Sequence, residues 1–244
     1  MAERLHKVLA RMGVGSRREI ERLIKQGLVE VDGQIAQLGQ TSEGLNQVSV
    51  NGINFTLEKE VDTQFLQYHK PDDEICSHKD PQGRRSVYDH LPRLSQGRWI
   101  AIGRLDLTTS GILLFTTDGG AANTLMHPSA RVDREYMVRV HGNVTQEAIY
   151  RLREGVRLED GMAKFTDVLQ RPSKGTNHWL QVVLQEGRNH EVKRMFESQG
   201  LRVTRLIRIR FGPIALDEAL KKGQHRLLTN KEVKSLNAIT HQSR

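Results

Sequence analysis

Cysteine is almost missing from this chain: Cys76 is the only one in 244 residues. A single thiol excludes an intramolecular disulfide and suits a reducing compartment. No apolar run approaches the roughly 20 residues needed to span a bilayer. The segment Met1 to Arg11 carries Glu3, Arg4, Lys7 and Arg11 and has no apolar signal core, so a soluble, cytoplasmic protein is expected. Phosphate-cradling loops of the GxxxxGK[ST] or GxGxxG type do not occur. The ten histidines show no paired metal-ligand spacing, and one cysteine cannot build a zinc cluster.

What the chain does have is basic charge. Lys and Arg number 37 against 29 acids, giving a net charge of +8. Such a balance favours a polyanionic partner, because each neutralised phosphate releases condensed counterions. A basic surface kept only for solubility is the other reading. The charge is uneven: between Arg4 and Lys25 there are seven basic residues and two acids, Glu19 and Glu21. A solvated helix face mixes signs more evenly, so this segment reads as a nucleic-acid face.

The pattern around that face is compact. Leu5, Val8, Leu9 and Met12 recur at helical spacing until Gly13 and Gly15 interrupt them. Ser16 with Glu19 forms a capping-box pair that opens a second helix burying Ile20, Leu23 and Ile24 and ending at Gly27. Leu28–Val31 and Gln47–Val50 alternate as strands, with Asp32-Gly33 and Asn51-Gly52 as tight turns. Leu57 to Asp62 reads as a charged linker, the remainder as one mixed α/β body to Leu236, and Asn237 to Arg244 as a polar, flexible tail.

In that body, Trp99–Ile102 reads as a strand and Ile112–Phe115 as a second, fully buried one. Between them lies the polar loop Gly103-Arg104-Leu105-Asp106-Leu107-Thr108-Thr109-Ser110-Gly111. A carboxylate at the mouth of a sheet, near Arg104 and several hydroxyls, is held ionised, as a nucleophile requires. From the loop alone, a turn cap or an ion pair with Arg104 is the commoner role for such an aspartate.

Two resemblances weigh on these alternatives. Residues 3–52 resemble the S4 RNA-binding domain, through Leu5-His6-Lys7-Val8-Leu9-Ala10, Gly15-Ser16-Arg17-Arg18-Glu19 and Gly27 to Gly33. In that family the basic helices face RNA, which implies Arg4, Lys7, Arg17, Arg18 and Arg22 here. Gly103-Arg104-Leu105-Asp106 with Thr109, Gly111 and the run to Asp118 resembles the defining motif of the RsuA/RluB branch of pseudouridine synthases. Arg134-Glu135-Tyr136-Met137-Val138 and Glu186 to Met195 resemble that family's second and third motifs, in the expected order.

The resemblance implies an α+β fold: an S4 module over residues 1–60, then a catalytic domain over 61–236 built on a mostly antiparallel central sheet with a cleft. It makes Asp106 the catalytic aspartate, Tyr136 the aromatic wall for the base and Lys193 the cation paired with Asp106. Arg104 and Arg188 become RNA-contacting residues, with loop ordering the other role open to Arg104. Tyr136 also fits a packed strand aromatic, and Lys193 a solvated surface helix. Glu191 stands where some relatives carry glutamine, and His190 fits a functional or a turn-stabilising role. The implied reaction is isomeric and redox-neutral and needs no cofactor. The implied partner of this expected monomer is ribosomal RNA of the large subunit, not DNA or membrane. Small-subunit rRNA, tRNA, or a non-catalytic role in ribosome assembly are the alternatives.

Overall fold

A computed structural model describes residues 3–57, 63–78, 80–172 and 175–242. Beyond Leu57, the expected linker lies outside the described residues. The chain divides into two units: Met1–Gln64 with Pro92–Ile100 and Thr117–Gly119, and the remainder.

The first unit begins with two short helices, α1 (Leu5–Arg11) and α2 (Arg17–Lys25). Ser16 caps α2, its hydroxyl accepting from Glu19 N while Glu19 reaches back to Ser16 N. Four antiparallel strands follow: β1 (Val29–Val31), β2 (Gln34–Ile35), β3 (Gln47–Val50) and β4 (Ile53–Thr56), in the order β2-β1-β3-β4. Val31 pairs with Gln34 and Val50 with Ile53, so Asp32-Gly33 and Asn51-Gly52 are two-residue hairpin loops. All four loop residues have positive φ, which matches the right-handed strand twist and explains the Asp-Gly and Asn-Gly pairs. Leu5, Leu9, Ile20, Ile24, Val29 and Val48 meet in the core of this unit. Each such side chain contributes about 1.5–3 kcal/mol on burial.

The second unit is a twisted sheet flanked by helices. It holds β5 (Phe65–Lys70), β7 (Thr109–Thr116) and β8 (Arg134–His141), and all but the first residue of β6 (Ile100–Ala101) and of α3 (Gly119–Met126), which lies between β7 and β8. After α4 (Gln146–Glu154) comes the hairpin β9 (Val156–Leu158) and β10 (Gly161–Ala163), then β11 (Asp167–Gln170) and β12 (Asn177–Leu184). The chain continues through α5 (Glu191–Glu197), β13 (Arg202–Phe211), β14 (Ile214–Ala215), β15 (His225–Leu227) and α6 (Asn230–Gln242). The main sheet runs β11-β12-β8-β13-β7-β5-β15, with β14 on β13 and β6 on β7. Among its strand pairs with described registers, only β13 with β7 is parallel.

Strand β7 is longer than the apolar run Ile112–Phe115 suggests, because Thr109, Ser110 and Gly111 belong to it and all eight residues are buried. The loop before it is correspondingly shorter. Gly111 has φ +108°, and a Cβ there would stand 2.1 Å from the Arg208 carbonyl oxygen. The close parallel approach of β7 to β13 therefore requires glycine. Residues 237–242, read from sequence as tail, lie in α6, whose Leu236 is fully buried.

Candidate active site

The short loop into β7 presents Asp106 on the second unit. Thr109 N donates to the Asp106 carbonyl at 3.0 Å and closes the turn. Beneath it, Lys70 at the end of β5 is fully buried. Its Nζ donates to the carbonyls of Pro71 (2.9 Å), Asp106 (3.2 Å), Leu107 (3.4 Å) and Thr109 (2.9 Å). Four carbonyl dipoles around one ammonium staple the loop from below. Burial pushes the Lys70 ammonium below its ordinary pKa, against the nearby Cys76, Glu74, Asp72 and Asp106.

The Asp106 carboxylate faces the opposite way, toward α5. Lys193 Nζ stands 3.7 Å from Oδ2 and donates to Thr108 Oγ1 at 2.8 Å. His190 Nε2 stands 3.5 Å from Oδ1. The aspartate is thus paired with Lys193 and approached by His190; among the described residues it has no ion pair with Arg104. Arg104 itself is exposed on the rim.

Both partners owe their positions to the turn that enters α5. His190 precedes the helix in the left-handed region at φ +50°, which costs a non-glycine residue roughly 1 kcal/mol or more. Glu191 offsets this by folding back: buried, it accepts from Arg188 N at 2.9 Å and Arg188 Nε at 3.0 Å. Arg188 also binds Asp160 Oδ1 at 3.2 Å, Met162 O at 2.6 Å and Glu186 Oε2 at 2.8 Å. The structure therefore places Arg188 as a tie between this turn and the β9–β10 hairpin.

Tyr136 on β8 is buried and lines a pocket with Asp106, Leu184, Val192 and Leu206. The pocket opens into a cleft of about 710 Å³ that Asp106 and Tyr136 share with Arg134, Arg208, Met126 and Gly187. Asp106, Tyr136 and Lys193, separated by up to 87 positions in sequence, so meet at one place. The cleft has the Asp106 carboxyl group in its lining and an aromatic and aliphatic wall beside it, which suits a flat polar ring beside a sugar.

A family model described as RNA pseudouridylate synthase matches residues 64–198, which include Asp106, Tyr136 and Lys193. The chain belongs to the RNA pseudouridylate synthase family. An S4 domain model matches residues 3–41. The chain is 51% identical over 236 residues to the ribosomal large subunit pseudouridine synthase B of Pseudomonas aeruginosa, covering 96% of this chain and 61% of that protein. It is also 51% identical to the protein of that name from Vibrio cholerae, covering 98% of this chain and 75% of the other. The chain therefore spans 61% to 75% of the length of these two relatives. A crystal structure of a pseudouridylate synthase superposes with a TM-score of 0.67 at 28% identity, covering 96% of this chain and 100% of the other.

The basic residues of the S4 module are placed as follows. Lys7 on α1 and Arg17, Arg18 and Arg22 on α2 are exposed, and among the described residues none of them makes an ion pair. Arg4 is exposed too, but its guanidinium is turned onto the Gly39 carbonyl. Cys76 Sγ donates to Leu105 O at 3.4 Å and accepts from Leu105 N at 3.5 Å, and burial pushes its thiol up. Sequence reasoning missed Lys70, Arg134 and Arg208 as parts of the site. A lysine ending a run such as Phe65-Leu66-Gln67-Tyr68-His69-Lys70 is a faint signal; Arg134 opens the second-motif run, but nothing there marks it as buried, and Arg208 gave no signal.

Proposed function

We propose that this chain, a cytoplasmic monomer, converts one uridine of large-subunit ribosomal RNA to pseudouridine. The observation that carries the reading is the Asp106 carboxylate 3.7 Å from Lys193, beside a pocket walled by Tyr136. In this reaction the N1–C1′ bond breaks, the uracil turns, and C5 bonds to C1′. N1 gains a proton and the proton on C5 leaves to solvent. The uridine must first leave its stack, and the cleft receives it. Asp106 engages the ribose at C1′ through its carboxylate, Lys193 stands beside that carboxylate, and Tyr136 holds the free base while it turns. The exposed basic residues Lys7, Arg17, Arg18 and Arg22, which make no ion pair among the described residues, supply sequence-independent hold on the RNA backbone, as do Arg4 and Arg104. The two relatives named for the large ribosomal subunit support that choice of substrate.

The test is release of tritium from ribosomal RNA labelled at C5 of its uridines. We expect release from large-subunit RNA, and its loss in Asp106→Asn with RNA binding retained. Release confined to small-subunit RNA or tRNA would reassign the substrate, and no release from any of them would leave an RNA-binding assembly protein. Carbodiimide-blocked primer extension on RNA from a deletion strain then locates the uridine.

A further inference from the structure

The cleft floor holds two buried arginines for which the scheme above has no use. Arg208 on β13 is 2% exposed and Arg134 on β8 is 8% exposed. Arg208 spends its Nε on the Ile112 carbonyl at 2.8 Å, and its buried Nη2 has no partner among the described residues. Arg134 directs one nitrogen, Nη1, at two carbonyls, Val132 O (3.0 Å) and Gln185 O (2.6 Å). Its other nitrogens have no partner among the described residues, nor does either guanidinium pair with a carboxylate there.

This arrangement is costly in a free protein. Buried charges are normally paired, and among the described residues these two have only carbonyls and the Phe211 ring, which each guanidinium approaches at 5.4 Å from the centroid. They also repel each other: burial and then the neighbouring Arg208 charge pull the Arg134 pKa down, against Tyr136 and Glu191. The backbone is built to keep them there. Arg208 lies directly across from Tyr136 in the β13–β8 register, and a bulge between Arg208 and Arg210 follows at once. Bulges of this kind re-aim a side chain beside a site. Cross-strand partners share a face, so Arg208 stands on the cleft side with Tyr136, and both arginines line the 710 Å³ cleft together with Asp106.

We infer that Arg134 and Arg208 form an anion subsite in the cleft floor that takes a backbone phosphate of the nucleotide being modified. The inference rests on the reading of the cleft as a uridine site and adds the group that seats the nucleotide. A phosphodiester carries one negative charge and two unesterified oxygens, which matches two forked donors better than a neutral base edge does. Phosphate contacts position a nucleic acid without reading its sequence. Here they set the ribose against Asp106, so both arginines are positioning residues.

The experiment compares the full chain with Arg208→Met and Arg134→Gln on an in vitro transcript of large-subunit RNA, and on inorganic phosphate. For Arg208→Met we expect a melting temperature equal to or above that of the parent, since an unpaired buried cation is removed. We expect KM for the transcript to rise about tenfold, with a smaller change in kcat. The slope of log Kd against log salt should fall by about 0.7–0.9, the value of one lost phosphate contact. Arg208→Lys should recover part of the KM loss. Inorganic phosphate should raise the melting temperature of the parent more than that of either variant. A folded Arg208→Met with unchanged KM, slope and phosphate response overturns the subsite. Should Arg208→Met fail to fold, Arg134→Gln and the phosphate difference decide in its place, an unchanged response again overturning it. The phosphate arm needs no turnover, so an inactive parent would refute the uridine reaction without deciding the subsite.

Discussion

Lys193 and Asp106 face each other at 3.7 Å, yet the lysine's hydrogen bond goes to Thr108 Oγ1 at 2.8 Å. The ammonium is therefore anchored beside the carboxylate without occupying one of its lone pairs at bonding distance. This placement leaves the carboxylate oxygens free to approach a sugar carbon. Thr108, two residues from Asp106, ties the lysine to the same loop.

Replacing Lys193 by methionine keeps the helix face apolar at its stem and removes the charge. We expect turnover to fall by about 10²–10³-fold, the range for loss of one preorganised electrostatic group. RNA affinity should change by less than threefold, because the lysine is held beside Asp106 by Thr108 and does not lie on the basic helices. Single-turnover tritium release and filter binding measure the two quantities. A tenfold loss of binding with unaltered single-turnover chemistry would make Lys193 an RNA contact instead.

Lys70 acts on the other side of the same loop. Removing its ammonium, in Lys70→Met, leaves the carbonyls of Asp106, Leu107 and Thr109 without their shared donor. We expect a loss of about 2–4 kcal/mol, the cost of several buried acceptors unmade at once. That corresponds to a fall of roughly 5–12 °C in the melting temperature of a body this size. Turnover should drop as well, since the Asp106 backbone loses its staple. A variant as stable as the parent in urea unfolding would show that the carbonyls find other donors.

The difference between Lys193 and Lys70 shows what the sequence makes legible. Features set by near neighbours read directly: the Ser16–Glu19 capping box, and the Asp32-Gly33 and Asn51-Gly52 turns, which fall where strand alternation puts them. Lys193 and Tyr136 were reachable through motif resemblance, which stands in for three-dimensional proximity. Lys70, Arg134 and Arg208 take their roles from strand register across the sheet, and nothing in the flanking residues announces burial of a charge. Arg188 shows the converse. Its motif position suggests an RNA contact, while the folded turn gives it Glu186, Glu191, Asp160 and the Met162 carbonyl. The extent of α6 was hidden for a local reason, since its polar composition reads as tail although Leu236 is buried and Thr229 with Glu232 forms a capping box at its start.

That start carries a pH-dependent contribution. Arg226 grips Glu232 with two bonds, Nη1 to Oε2 at 2.9 Å and Nη2 to Oε1 at 2.7 Å, while Thr229 N donates to Oε2 at 2.7 Å. The Arg226 bonds, with help from Thr229 and against partial burial, bring the Glu232 pKa from its ordinary 4.5 down to about 2. A carboxyl with a depressed folded pKa stabilises the fold above its unfolded value and loses that contribution as pH falls toward the folded one. The stabilisation should therefore be complete above about pH 4.5 and decay between there and about 2. Solvent at this partly exposed pair limits it to about 1–2 kcal/mol. Glu232→Gln should lose that amount at pH 7, and the gap to the parent should narrow as urea unfolding is repeated at pH 5, 4 and 3. A gap that stayed constant from pH 7 to pH 3 would assign the loss to helix capping by a neutral side chain and remove the charge from the account.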